Sequence, residues 1–180
     1  MTNAELAILT LVAERPIHGY ALERTIEERG MREWTEIGFS SIYYLLNKLE
    51  KAGYVESYIE PAEGHGPARK TYRVTEAGHQ AQAAAAYKAL AQPNKAPMPF
   101  LLGLANLPVL STTQAADALQ AYRQHLASRR RHILQRKEAQ RDLPFHARAI
   151  FDYSLTLLEA EIEWLDKFKQ QLEEEVNGKS

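Results

Sequence analysis

Between Phe39 and Thr75 the spacing of apolar residues changes from a helical period to a strand period and back. In FSSIYYLLNKLEKAG, Ile42, Leu45, Leu46 and Leu49 recur at i, i+3, i+4 and i+7, which places all four on one face of a helix. At about 100° per residue, Ser40, Tyr44, Asn47 and Lys51 fall on the opposite face, with Tyr43 and Lys48 flanking them. That outer face carries hydroxyls, an amide and amines but no carboxylate. Such groups suit phosphate oxygens and base edges. The next stretch, YVESYIE-PAEGHGP-ARKTYRV, predicts two strands near 54–60 and 69–75 around a turn too rich in glycine for a core, with the cationic pair Arg69-Lys70 beside it. Helix followed by basic-tipped hairpin is the order of a winged helix-turn-helix, and the segment reads as a DNA-binding surface.

The flanking pattern is helical. Leu6, Leu9, Leu11 and Val12 supply the apolar positions of a helix over about 3–14, which Arg15-Pro16 ends because the residue before proline disfavours the α conformation. Ile17-His18-Gly19-Tyr20 reads as a turn. A second helix runs from there to Arg29, with Leu22 and Ile26 facing inward and Gly30 as its terminator. Trp34 and Phe39 bracket a connector that packs on the core, Ser40 caps the third helix and Gly53 closes it. Thr75-Glu76-Ala77-Gly78 opens an alanine-rich helix to about Gln92. Pro93, Pro97 and Pro99 then mark a boundary, and Met98 to Leu104 reads as a short buried helix ended near Pro108. Ser111 or Thr112 starts a long helix to about Arg141, with Leu119, Tyr122, Leu126 and Ile133 on one side. Leu143-Pro144 breaks it, and a last helix ends near Val176.

That last helix carries a heptad. Phe151, Leu155, Leu158, Ile162, Leu165, Lys169, Leu172 and Val176 alternate in steps of four and three, the spacing of a coiled-coil seam that Lys169 alone interrupts. Ile150, Tyr153, Leu157, Trp164 and Phe168 widen the stripe. So wide an apolar face calls for more than one partner helix, and the expected partner is a second subunit, with Phe151, Leu155, Leu158, Ile162, Leu165 and Leu172 as dimerisation residues.

Composition narrows the classes. A chain of 180 residues with 45% apolar and 25% charged residues is ordinary globular protein, long enough for two small domains. It has no cysteine, so neither disulfides nor thiolate metal sites, which fits a reducing cytoplasm. The N-terminal segment lacks a basic leader and is broken by Glu14 and Arg15, so it reads as a helix and not a signal peptide. No apolar run reaches the length of a membrane span. Net charge is -1, and residues 1–80 hold 9 Lys and Arg against 12 Asp and Glu, giving -3. A DNA-binding chain is usually more basic. Here the acids gather at Glu23, Glu27, Glu28, Glu33 and Glu36, away from the outer face of the third helix, and modest non-specific affinity is expected. No nucleophile elbow, phosphate-binding loop, dinucleotide fingerprint or zinc-protease motif occurs, so no enzyme is read. His65 beside Glu63 lacks the further ligands of a zinc site. The run Arg129-Arg130-Arg131-His132 with Arg136-Lys137 reads as a solvated helix face pairing with acids such as Glu173-Glu174-Glu175.

Three blocks, HGYALERTIEE, SSIYYLLNKLEKAGYVE and GPARKTYRVTEAG, in that order and spacing, resemble the PadR family of bacterial transcriptional regulators. His18-Gly19-Tyr20, Tyr43, Leu49-Glu50, Gly53, Arg69-Lys70-Thr71-Tyr72 and Thr75-Glu76-Ala77-Gly78 carry the likeness over about residues 5–80. Residues 93–176 resemble the family in layout only, as its longer type with two long C-terminal helices. Tyr44 stands where many relatives carry proline. The resemblance implies a homodimer that usually represses transcription and is relieved by a small effector.

The fold expected is mainly α with a small β-hairpin wing: a winged helix-turn-helix domain over 1–92, a helical dimerisation domain over 93–176 and a flexible tail over 177–180. The residues expected at DNA are Tyr20, Ser40, Ser41, Tyr43, Tyr44, Asn47, Lys48, Lys51, Arg69 and Lys70, the third helix entering the major groove of a pseudo-palindromic operator. Tyr87, Phe100, Tyr122, Tyr153 and Trp164, with Arg123 and Arg148, would suit an aromatic carboxylate effector, although aromatics at helical spacing are equally what a dimer core contains. No cofactor, metal or membrane partner is expected, and the expected location is the cytoplasm. The competing class is a winged-helix module that binds proteins and not DNA.

Overall fold

The chain enters its first helix, α1 (Asn3–Glu14), through a capping box: the Thr2 hydroxyl accepts from the Glu5 amide at 3.2 Å, and the Glu5 carboxylate accepts from the Thr2 amide at 2.8 Å. Ile8, Leu9, Leu11 and Val12 of this helix are shut off from solvent, because three further helices and a strand pack around it. The computed structural model describes residues 1–33, 35, 37–38, 41–61, 68–92, 99–140 and 142–177, which fall into two compact units, Met1–Ala96 and Pro97–Ser180.

The first unit is a winged helix. After α1 come β1 (Ile17–His18), α2 (Gly19–Glu28), a turn of 3-10 helix (Met31–Glu33), α3 (Ile42–Lys51), β2 (Val55–Glu60), β3 (Arg69–Val74) and α4 (Glu76–Ala91). The sheet is antiparallel in the order β1-β3-β2. Ile17 and His18, read from sequence as part of a turn, form an edge strand opposite Tyr72 and Thr71. Two residues are too few for a period of two to register, and the strand exists only because β3 returns beside it. Trp34, Phe39 and Ser40 lie outside the described residues.

Glycine ends α2 and α3 for one reason. Gly30 and Gly53 adopt φ of 61° and 74°, the left-handed conformation that closes a helix. At Gly53 the closure is a Schellman motif: its amide bonds to the Glu50 carbonyl and the Tyr54 amide to the Leu49 carbonyl, both at 3.0 Å. Thr75 then knots the corner where α3, the hairpin and α4 meet. Its amide donates to the Tyr54 carbonyl at 3.0 Å, its hydroxyl donates to the Gly53 carbonyl at 2.7 Å and accepts from the Gly78 amide at 3.0 Å. A side chain at Gly78 would collide with the Tyr54 carbonyl, so this corner admits no larger residue.

The second unit contains α5 (Pro99–Ala105), a 3-10 turn (Leu107–Val109), α6 (Thr112–Ala139) and α7 (Phe145–Asn177). Ser111 and Gln114 form the capping box of α6. The boundary prolines Pro93 and Pro97, with Met98 and Arg141, lie outside the described residues. α5 is not buried as its composition suggests: Leu101 and Leu102 are exposed, and Phe100 is the side chain that packs on the α6–α7 core.

The heptad of α7 meets α6 of its own chain. Leu155, Leu158 and Leu165 are buried against Leu119, Leu126 and Ile133, with Phe151, Ile162 and Leu172 packed at the edges. Leu165 has no exposed surface. Ion pairs fix the antiparallel register: Arg123 with Asp166, Arg130 with Glu159 and Lys137 with Asp152 advance by seven on α6 and retreat by seven on α7. This register bears on two expectations. The seam assigned to a second subunit is filled within the chain, since a heptad says that a helix packs there but not whose. In the basic run Arg130 pairs with Glu159 and Lys137 with Asp152, and the same register carries Glu173-Glu174-Glu175 to the first turns of α6, far from that run.

Candidate nucleic-acid interface

The site is built on α3. Its four heptad-like apolar residues, Ile42, Leu45, Leu46 and Leu49, are buried on α1 and α2, which leaves the rest of the helix no choice but to face outward. Tyr43 and Tyr44 are more than half exposed, and Asn47, Lys48 and Lys51 lie in solvent. Ser41 is the residue before the first turn. It makes no side-chain cap; its hydroxyl donates to the Gly38 carbonyl at 2.7 Å. Ser40 lies outside the described residues.

α2 is presented beside α3 by His18. The imidazole Nδ1 accepts from the Ala21 amide at 3.2 Å, capping the helix, so in the neutral ring the proton resides on Nε2. Tyr20, in the first turn of α2, is 70% exposed. Tyr43 packs over Gly19, which joins the two helices at the surface.

In the wing, Arg69 pairs in register with Glu60 and Lys70 with Ile59. Both side chains are exposed at the start of β3. Lys70 Nζ lies 2.9 Å from Glu50 Oε2 and 5.0 Å from the centre of the Tyr72 ring. The Ser57 hydroxyl donates to the other oxygen of Glu50. That bond, then the Lys70 ammonium, holds the Glu50 carboxyl below the ordinary carboxylate range, and Glu50 in turn raises Lys70. The loop over 62–67, including Glu63 and His65, lies outside the described residues. Among the described residues no three His, Asp or Glu gather as a metal site would need, and no helix is long and apolar enough to cross a membrane.

Two residues outside the expected DNA contacts, Glu5 and Glu50, belong to this surface. Glu5, at the buried start of α1, forms an ion pair with Lys48. The Lys48 bond lowers the Glu5 pKa against the opposing effect of burial, and Lys48 is raised in return. The spacing Thr2-x-x-Glu5 signals the capping box but gives no hint of a lysine on another helix. Glu50, one residue past the last buried leucine of α3, carries no local signal for its contact with the wing.

The candidate effector residues belong to both units. Tyr87 is exposed on α4 of the first unit. In the second unit Phe100 stacks on Tyr122 with centroids 4.4 Å apart, Trp164 stacks on Phe168 at 4.9 Å, and Phe100 meets Trp164 edge-on at 6.0 Å. The polar groups among them are already engaged: the Tyr122 hydroxyl donates to Glu161 at 2.6 Å, and Arg123 bonds both oxygens of Asp166 at 2.5 and 2.9 Å. Tyr153 and Arg148 are exposed on α7.

Comparison with known proteins places this geometry. The model of the transcriptional regulator PadR-like family matches residues 8–84. In fold the chain is similar to Bacillus subtilis PadR in complex with operator DNA (TM-score 0.75, 20% identity, covering 93% of this chain and 98% of that one). It is similar to the same protein in complex with p-coumaric acid (TM-score 0.74, 18% identity, 94% and 98%). A third likeness is to the PadR-like transcriptional regulator BC1756 from Bacillus cereus (TM-score 0.70, 17% identity, 96% and 97%). No curated protein matches the chain.

Proposed function

Since this chain belongs to the PadR-like family of transcriptional regulators, we propose that it binds operator DNA as a homodimer in the cytoplasm and represses transcription until a small aromatic effector releases it. The observation that carries the DNA-binding reading is the division of α3, with its apolar side consumed by α1 and α2 and Tyr44, Asn47 and Lys51 left to solvent. A helix of this kind fits the major groove, where Asn47 can pair with an adenine edge through two hydrogen bonds. Ser41 and Tyr43 at the start of α3, Tyr20 on α2 and Arg69 on the wing would meet phosphates and fix the register. The operator-DNA complex of Bacillus subtilis PadR supports the assignment by likeness of fold. The test is a gel shift on the duplex upstream of the chain's own gene across a salt series. Binding that weakens steeply with salt is expected; no shift even at low salt would leave a winged module that binds proteins.

The homodimer rests on a second stripe of α7. Ile150, Tyr153, Leu157, Ala160 and Trp164 recur in steps of three and four on the side turned away from the α6 seam, and all five are exposed. A second copy covering this stripe would make a two-fold dimer, and a two-fold dimer that reads half-sites one turn, about 34 Å, apart has a pseudo-palindromic operator. For the effector, the p-coumaric acid complex of Bacillus subtilis PadR supports an aromatic ligand, and the rings of Phe100, Tyr122 and Trp164 offer flat apolar walls. Release by about 100-fold requires about 2.7 kcal/mol of preference for the state that does not bind DNA. Trp164 fluorescence during titration with phenolic acids reads the site directly; an unchanged signal and unchanged operator affinity would return these rings to core.

A further inference from the structure

Two of the lysines on the expected DNA side of the first unit, Lys48 and Lys70, are each held by an anion of the fold. Lys48 lies on one border of the exposed α3 face and is paired with Glu5 of α1. Glu50 lies on the other border and is paired with Lys70 of the wing. The carboxylates sit beneath and the ammonium groups above: the side chains of Glu5 and Glu50 are 8% and 31% exposed, those of Lys48 and Lys70 53% and 44%. Resting on the DNA-binding reading above, we propose that Glu5 and Glu50 are specificity-determining residues, which cancel the attraction of Lys48 and Lys70 for phosphate and so suppress binding to DNA of arbitrary sequence.

Sequence-independent affinity comes from neutralising phosphates and releasing their counterions. A lysine whose charge is balanced by a fixed carboxylate brings no net charge to the DNA, and the carboxylate remains nearby to repel the phosphate after docking. The contacts that read bases are untouched, because Asn47 and Tyr44 are neutral and occupy the middle of the face. The two anions therefore lower the non-specific term and spare the specific one. Hydrogen bonding does not require acids at these positions. A glutamine at residue 5 would complete the Thr2 capping box, and a glutamine at residue 50 would accept from Ser57. What an amide cannot supply is the charge. Glu50 stays ionised at neutral pH, since the Ser57 bond and Lys70 both stabilise its anion. Oε1 of Glu5, closed off from water, faces the Lys48 ammonium.

The test uses the full chain with Glu5→Gln and Glu50→Gln, titrated by fluorescence anisotropy against a mixed-sequence duplex and the duplex upstream of its own gene. Each substitution should raise affinity for the mixed-sequence duplex and steepen its dependence on salt by about 0.9 in logarithmic slope per subunit, or about eightfold per decade of salt for each phosphate gained. The preference for the upstream duplex should shrink. Lys70→Gln should cost more affinity in the Glu50→Gln background than in the unaltered chain, a coupling that a merely structural Glu50 would not produce. Thermal melting checks both folds, and Glu50→Gln, at the less buried site, decides the matter should Glu5→Gln melt early. Unaltered or weakened mixed-sequence binding in Glu50→Gln, with the parent chain binding normally, overturns the inference alone. Absence of DNA binding in the parent and in both variants overturns the DNA-binding reading and the inference with it.

Discussion

The ring of Tyr43 occupies the space that a side chain at Gly19 would need: a Cβ there would lie 2.5 Å from Cε1 and 2.8 Å from Cζ of the tyrosine. The first turn of α2 and the outer face of α3 are thereby fixed to one another at the surface where DNA is expected. Gly19→Ala should push the ring outward. Because Tyr43 is 56% exposed it can move, so stability should change by no more than about 0.5 kcal/mol while operator affinity falls. Tyr43→Ala should then add little in the Gly19→Ala background. If the two losses of affinity simply add, the ring and the glycine act separately.

The two stripes of α7 should part under mutation. Leu165→Ala empties a fully buried position between α6 and α7 and should cost about 2–5 kcal/mol in thermal or denaturant unfolding. Leu157→Glu places a charge where the single chain is open to water, so the fold should survive and the dimer should not. Sedimentation of a folded Leu157→Glu chain that is still a tight dimer would move the interface elsewhere.

Base reading and phosphate binding should separate within α3. Asn47→Ala should cost about 1–3 kcal/mol at the operator and relax preference at one base pair. Lys51→Ala should weaken all duplexes alike and reduce the salt slope by about 0.9 per subunit. Competition binding with single-base operator variants distinguishes the two, and equal loss of discrimination would refute the division.

Tyr122 should titrate late. Burial, and then its bond to Glu161, push its pKa from 10.0 to about 12. The shift is upward in the folded state, so the stabilisation it reports is complete below pH 10 and lost as pH climbs from 10 towards 12. Tyrosinate absorbance should show one ring lagging the others, and Tyr122→Phe should remove that lag and flatten the loss of stability over the same interval. A phenol that ionises with the rest would mean that the ring is neither buried nor bonded to Glu161 in solution.

Much of the first unit was legible because its signals are local. The period of Ile42, Leu45, Leu46 and Leu49 gives α3, the glycine at 53 gives its end, and the strand–loop–strand composition gives the wing. What escaped depends on residues distant in sequence. β1 needs Tyr72 and Thr71 to exist at all, and the Glu5–Lys48 and Glu50–Lys70 pairs join elements that no periodicity connects. The heptad of α7 was legible as a seam but its partner was not, since knobs at Leu155, Leu158 and Leu165 fit any helix with the right holes. Ile150, Tyr153, Leu157 and Trp164 read as mere widening until α6 had taken its own share of the helix. The aromatic residues were legible only as composition, which shows rings and guanidinium groups but not that Glu161 and Asp166 hold Tyr122 and Arg123.

The Thr75 corner makes α4 a lever. Two hydrogen bonds from Thr75 to Gly53 and Tyr54, a third that caps α4 at Gly78, and the bare Gly78 backbone pressed to the Tyr54 carbonyl join the root of α4 to the closing turn of α3. A torque applied along α4 has no slack to take up at residue 75. It is passed on to α3 and to the hairpin that springs from the same corner.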